Sequence, residues 1–215
     1  MRVRLISLGL VACVTAWMSP AIAQQATSNA TVTHVKFNLI VNTPFLSCLQ
    51  ASTKTPPTAT VTVIQGNLND TLTIKVQHMK PKLAFDMFTV QNSPFLADGT
   101  ADSSFPGNFG LAWYQSDLQM NSAGNGSATI KTIIVDQIFG FDAGSGIALT
   151  PTNTFHVGFW FANPADAAAC GFTGTTPFNG EHAAGPLAMI SGTNATTQLG
   201  PLCLNPSDTP GTCNN

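Results

Sequence analysis

The tightest constraint on this chain is a two-residue rhythm: from Val35 to Phe161, apolar side chains recur at every second position in short runs separated by Gly, Asn and Pro. Successive side chains of an extended strand point to opposite faces, so this period describes sheets with one face in a core and the other in water. Val35, Phe37, Leu39 and Val41 alternate with His34, Lys36 and Asn38. Val61 and Val63 alternate with threonines, and Leu72, Ile74 and Val76 with Thr73, Lys75 and Gln77; the turn residues Gly66 to Asp70 between them predict a hairpin. Further strands are expected over Leu83–Val90 and Leu111–Tyr114, and a second hairpin from Asp117–Met120 to Ser127–Val135 through the Gly/Asn-rich turn Asn121–Gly126. Phe155, Val157, Phe159 and Phe161 alternate with His156, Gly158 and Trp160. The expected fold is all-β, a single antiparallel β-sandwich, Ig-like or jelly-roll-like. Its one short helix has Asn163 as N-cap, Pro164 at the first helical position and Asp166 in the first turn.

The first 23 residues read differently. Arg2 and Arg4 precede an apolar run from Leu5 to Trp17, and Ala21-Ile22-Ala23 follows, the order of a secretory signal peptide with cleavage after Ala23. The run is shorter than the roughly 20 apolar residues that span a bilayer, so no transmembrane segment is expected. Leu10-Val11-Ala12-Cys13 has the form of a lipoprotein box and stays as a minor alternative. The expected organisation is a signal peptide over 1–23, a disordered segment over 24–31, the β-sandwich over 32–192, and a loop-rich tail over 193–215 held by its cysteines. The location that follows is secreted, extracellular or periplasmic.

Charge then limits the partners. Removing both arginines with the signal leaves six of the eight basic residues against ten carboxylates, a net charge of −4. A domain without arginine lacks the footprint of a nucleic-acid binder, whose affinity comes largely from phosphate neutralisation. Charged residues make up 8% of the chain, far below the usual share of about 25%. Such a polar, weakly charged surface suits contact with another protein, a glycan or a copy of itself, because desolvation opposes it little. The one basic concentration, Lys75, His78, Lys80 and Lys82, suits an anionic glycan or lipid surface, or simply a solvated strand end.

Four cysteines remain after cleavage, Cys48, Cys170, Cys203 and Cys213, and an even number in an exported chain predicts two disulfides. Three pairings are possible and sequence alone does not choose among them; the favoured set is Cys48 with Cys170 and Cys203 with Cys213.

Phe85-Asp86-Met87-Phe88, the stretch from Phe109 to Gln115, and the run from His156 to Gly185 with its Trp160-Phe161-Ala162-Asn163-Pro164 resemble a family of uncharacterised secreted bacterial proteins. The resemblance covers most of residues 70 to 190. It implies a bacterial, secreted β protein folded as one unit, and it names no reaction. Phe178-Asn179-Gly180 and His182 are similar to a short stretch of copper-zinc superoxide dismutase, but the four histidines here include no His-x-His pair.

Two sets of side chains are candidates for chemistry. His156, Asp166, Glu181 and His182 mix imidazole and carboxylate as a divalent-metal site does, although their spacing matches no defined motif and a structural role is favoured, with His156 facing solvent. Trp113, Tyr114 and Trp160 are suited to stacking on sugar rings, with core packing as the simpler account. No Gly-x-Ser-x-Gly elbow, phosphate loop or dinucleotide fingerprint occurs. The expectation is a non-catalytic binding or structural module without a resident cofactor. A metal-binding protein or metalloenzyme centred on His156, Asp166, Glu181 and His182 is the alternative.

Overall fold

Strands with one greasy face are stable only when that face is hidden against a second layer. In the computed structural model of the chain, which describes residues 34–66, 68–132, 141–142, 147–148, 154–174 and 184–203, two antiparallel sheets do this. One sheet holds β1 (His34–Asn38), β3 (Thr58–Ile64), β4 (Asp70–Gln77) and β7 (Gly126–Thr132), in the order β1-β3-β4-β7. The other holds β2 (Ile40–Val41), β5 (Ala84–Val90), β6 (Ala112–Gln119), β10 (Thr154–Phe161) and β11 (Leu187–Ile190), in the order β2-β11-β10-β5-β6. β12 (Leu202–Cys203) adds to the start of β10, and β8 (Phe141–Asp142) pairs with β9 (Ile147–Ala148). The all-β sandwich expected from the two-residue period is therefore the fold.

The core lies between the sheets. Val61, Val63, Leu72 and Ile74 enter it from the four-stranded sheet, and Phe85, Met87, Leu118 and Phe159 from the other, all of them buried. The Phe85 ring centroid stands 4.9 Å from that of Phe159 and 5.3 Å from that of Phe161, tilted spacings that favour aromatic pairs. One end is closed by α1 (Leu46–Leu49) and a 3-10 helix, Pro164–Cys170. The Asn163 side chain accepts the Ala165 amide at 3.0 Å, so the cap falls where Asn-Pro predicts it. The Cys48–Cys170 disulfide, expected from cysteine parity, ties these two elements across 122 residues of chain. Cys203 lies in β12, whereas Cys213, and with it the second expected pairing, lies outside the described residues.

The β3–β4 hairpin forms as expected, pairing Thr58 with Gln77 through Ile64 with Thr71. The second expected hairpin does not form: β6 pairs with β5, and β7 pairs with β4. The Asn121–Asn125 turn carries the chain from one sheet to the other. Its Asn121 Oδ1 accepts the amides of Ala123 and Asn125 at 2.9 and 3.1 Å, and Gly124, at φ +74°, offers its carbonyl to the Met79 amide at 3.0 Å. Leu118 and Ile130 reach the same core from opposite sheets, and local alternation looks identical whether two strands are neighbours in one sheet or face each other across a sandwich. The domain also continues past residue 192. Thr193 and Asn194 are buried, Thr193 exchanges backbone hydrogen bonds with Phe95 and Ala97 at 2.8 Å each, and β12 follows.

Candidate functional site

The outer face of the six-stranded sheet is not open. The long connection from residue 91 to 111 folds across it, and Phe109 meets the Trp160 indole edge-on at 5.1 Å. Trp160 is fully buried with Phe88, Val90, Leu187 and Ile190. It therefore serves this second cluster and offers no stacking surface. Trp113 turns inward instead and packs on Phe155 at 5.8 Å. Of the three aromatic candidates only Tyr114 is open, at 51% exposure. Pairing shifts between Met87 and Phe88, where Ser116 and Tyr114 are their successive partners, so one extra residue stands in β6. This bulge brings Tyr114 and Asp117 together, and the phenol donates to Asp117 Oδ1 at 2.7 Å. Partial burial and then that hydrogen bond push the phenol up to about 12.

The same covering connection encloses His156, which is 2% exposed and does not face solvent as its strand position predicts. Its Nδ1 lies 3.0 Å from the Ser191 carbonyl, which can only accept, so Nδ1 carries the proton. Nε2 is left with its lone pair near Gly200, where an added Cβ would stand 2.8 Å away. Burial pushes the imidazole down to about 4, against the opposing pull of the Ser191 carbonyl and Asp102, so the ring is neutral at physiological pH. A cavity of about 80 Å³ adjoins it, lined by Asp102, Ser104, Thr154, Thr193 and Gln198 among others. That volume holds about two or three water-sized groups, at roughly 30 Å³ each. Burial works to raise the Asp102 carboxyl, but the hydroxyl and amide of Ser104, at 2.6 and 2.9 Å, and the Thr193 hydroxyl hold it below its ordinary value. The Ser104 hydroxyl is thus engaged by a carboxylate and not by His156. Chemically the pocket offers a neutral acceptor beside a fixed anion, which suits a small hydrogen-bond donor.

Asp166 is not part of this pocket. It is exposed on the 3-10 helix beyond the far end of β10, whose last residue is about 17 Å from His156 at the usual strand rise. Glu181 and His182 lie outside the described residues. Among the described residues no group of three or more His, Cys, Asp or Glu is gathered as metal ligands. Asp102 and Ser104, which line the pocket beside His156, had a local signal in Asp-x-Ser, whose carboxylate closes an Asx turn on the Ser104 amide. That pattern marks a turn and carries no information about which strand the turn covers.

The outer face of the four-stranded sheet is the opposite case, since its side chains alternate with the core positions and meet water. Strand register lines them up in three rows: His34–Ile64–Thr71–Lys131, Lys36–Thr62–Thr73–Thr129 and Asn38–Thr60–Lys75–Ser127. Thr73 and Thr129 share a hydroxyl hydrogen bond at 3.1 Å, and Thr60 donates to Asn38 Oδ1 at 2.9 Å. Lys36, Lys75 and Lys131 are exposed. No carboxylate stands in these rows; Asp70, the one acid of β4, has the inward parity and is buried. Asp86, Asp98, Asp102 and Asp117 all belong to the six-stranded sheet or the connection that covers it. At the end of this face a polar groove of about 450 Å³ runs between Lys75, Gln77, Gln119, Asn121, Asn125 and Ser127.

No family model, no curated protein and no solved structure matches the chain. Among the described residues no helix is long and apolar enough to cross a membrane.

Proposed function

We propose that this protein is an exported, non-catalytic binding module that meets its partner through the outer face of the four-stranded sheet. The observation that carries the proposal is the contrast between the two outer faces: one is covered over Trp160 and His156 by its own chain, the other is an open, hydroxyl-lined surface ending in a polar groove. Strand hydrogen bonding fixes the threonine rows in advance, so a partner orders few side chains on binding and loses little entropy there. The N-terminal signal pattern and the Cys48–Cys170 disulfide support export, because disulfides persist in oxidising compartments. Mass spectrometry of the mature protein is expected to find an N-terminus at Gln24; a diacylated Cys13 would replace secretion by lipid anchoring.

A panel of immobilised polysaccharides and of the protein itself, probed with wild type and with Thr73→Trp, tests the binding surface. Binding lost in the variant while its melting temperature holds supports the proposal. Turnover of a defined substrate that disappears in His156→Asn or His182→Ala would overturn it in favour of the second reading, a metal-binding protein or metalloenzyme. That reading draws on the His156 Nε2 lone pair beside Asp102, and it requires purified protein to carry zinc, copper or iron, or to melt higher when one is added.

A further inference from the structure

The open face is not neutral, and its charge has one sign. Using a strand spacing of about 4.8 Å and a rise of about 3.3 Å per residue, the backbones of Lys36, Lys75 and Lys131 are separated by roughly 12 to 16 Å. Between them stand threonine hydroxyls, each both donor and acceptor. Where β4 leaves the sheet, His78, Lys80 and Lys82 are also exposed, extending the basic surface past the groove. In a chain with more acidic than basic residues, this is segregation of charge: apart from the buried Asp70 and from Asp142 in β8, the described carboxylates lie with the other sheet, its covering connection and the 3-10 helix.

We infer that the occupant of this face is an acidic polysaccharide, a polymer of sugar rings with a carboxylate or sulfate on every one or two rings, running from the Lys36–Lys131 rows into the Lys75–Gln77–Asn125 groove. The inference rests on the binding-module reading above and deepens it. Three features of the surface choose this polymer. Cations set a dozen ångströms apart match widely spaced anions, whereas duplex DNA places a charge every 1.7 Å or so and is met by dense arginine and lysine. The rows between the cations are hydroxyls, which exchange hydrogen bonds with sugar hydroxyls at little desolvation cost. The groove adds four carboxamides: Gln77, Gln119 and Asn125 can each donate and accept, while Asn121, whose Oδ1 already accepts two amides, can donate. An anionic bilayer instead rewards an apolar or aromatic face beside the cations, and these rows contain one such residue, Ile64.

The test uses the full exported chain with its disulfide intact, in affinity electrophoresis and titration calorimetry against alginate, heparin and uncharged dextran. Retardation by alginate or heparin and none by dextran is expected. The dissociation constant should rise roughly tenfold on the triple change Lys36→Gln, Lys75→Gln, Lys131→Gln, with a comparable loss on raising salt, as expected when about three ion contacts are released. The corresponding Lys→Arg triple variant should retain binding. Equal affinity for dextran, or binding that survives the Gln variant but is lost in Thr73→Trp, overturns the acidic-polymer inference and leaves the sheet face as the binding surface. Binding that survives both variants, or no binding to any of the three polymers, overturns the inference, and the first of these removes the sheet-face reading as well. Tighter binding to phosphatidylserine vesicles or duplex DNA than to either polysaccharide would assign the face to a different occupant.

Discussion

Acidification should destabilise this domain through His156 before it touches the carboxylates. The imidazole is fully enclosed, and burial lowers it from 6.5 to about 4. An unfolded chain protonates this histidine near 6.5 while the folded chain resists until about 4, so the unfolded state binds more protons throughout that interval. Stability is therefore complete above the unfolded value and is lost as pH falls toward the folded one. At about 1.4 kcal/mol per pH unit, the loss between pH 7 and pH 5 is about 2 kcal/mol, approaching about 3 kcal/mol near pH 4. Asp102 is held below its usual value and stays ionised across the upper part of this window, so the effect there is not its own. Urea unfolding at pH 7, 6 and 5 measures it. His156→Asn keeps a donor near the Ser191 carbonyl and removes the titration; it should cost about 1–2 kcal/mol at pH 7 and flatten the dependence by the same 2 kcal/mol relative to wild type. Parallel pH profiles for the two proteins would refute the account, because they would place the titrating group elsewhere.

Opening the Cys48–Cys170 bridge in the double variant Cys48→Ala, Cys170→Ala should lower stability by about 3–5 kcal/mol, since a loop closed across a sequence separation of 122 regains freedom in the unfolded chain; denaturant melts measure this. Gly124→Ala should cost about 2–3 kcal/mol and is expected to appear in thermal melts, because alanine is strained at φ +74° and its methyl would collide with the Met79 carbonyl. Phe109→Ala should uncover the Trp160 indole, shifting tryptophan emission to longer wavelength and costing about 2–3 kcal/mol, less than a fully buried phenylalanine.

How far the fold was legible depends on which interactions were local. The β3–β4 hairpin could be read because apolar alternation and its turn residues sit within twenty residues of each other. Cys48 with Cys170 followed from cysteine parity and a preference among three pairings. The partner of β7 was not legible, because Leu118 and Ile130 satisfy the same alternation from either sheet. His156 was misplaced for a related reason: like Trp160, for which core packing was the simpler account, it occupies an outward position of β10, and only the connection from 91 to 111 decides that outward is not exposed. A clue lay in β10 itself, whose outward residues from 156 to 160 are His, Gly and Trp, a nearly continuous apolar run of the kind found in strands buried on both faces. The threonines of β3 and β4 were visible one by one. Their alignment into rows with Lys36 and Lys131 is a product of register, which no single strand contains.

Strand order also dictates when the molecule can close. β10 is the middle strand of its sheet, yet it follows β5 and β6 by dozens of residues, and Cys170 comes later still. A nascent chain that has emerged as far as residue 132 holds all four strands of the smaller sheet but only β2, β5 and β6 of the other, and lacks Phe155, Val157, Phe159 and Phe161, which complete the cover over Val61, Val63, Leu72 and Ile74. Contacts this distant along the chain form slowly. Under the export proposed above, the chain must thread a translocon unfolded, and a topology that withholds the middle strand of its larger sheet until the last third of the sequence would delay compaction before transit.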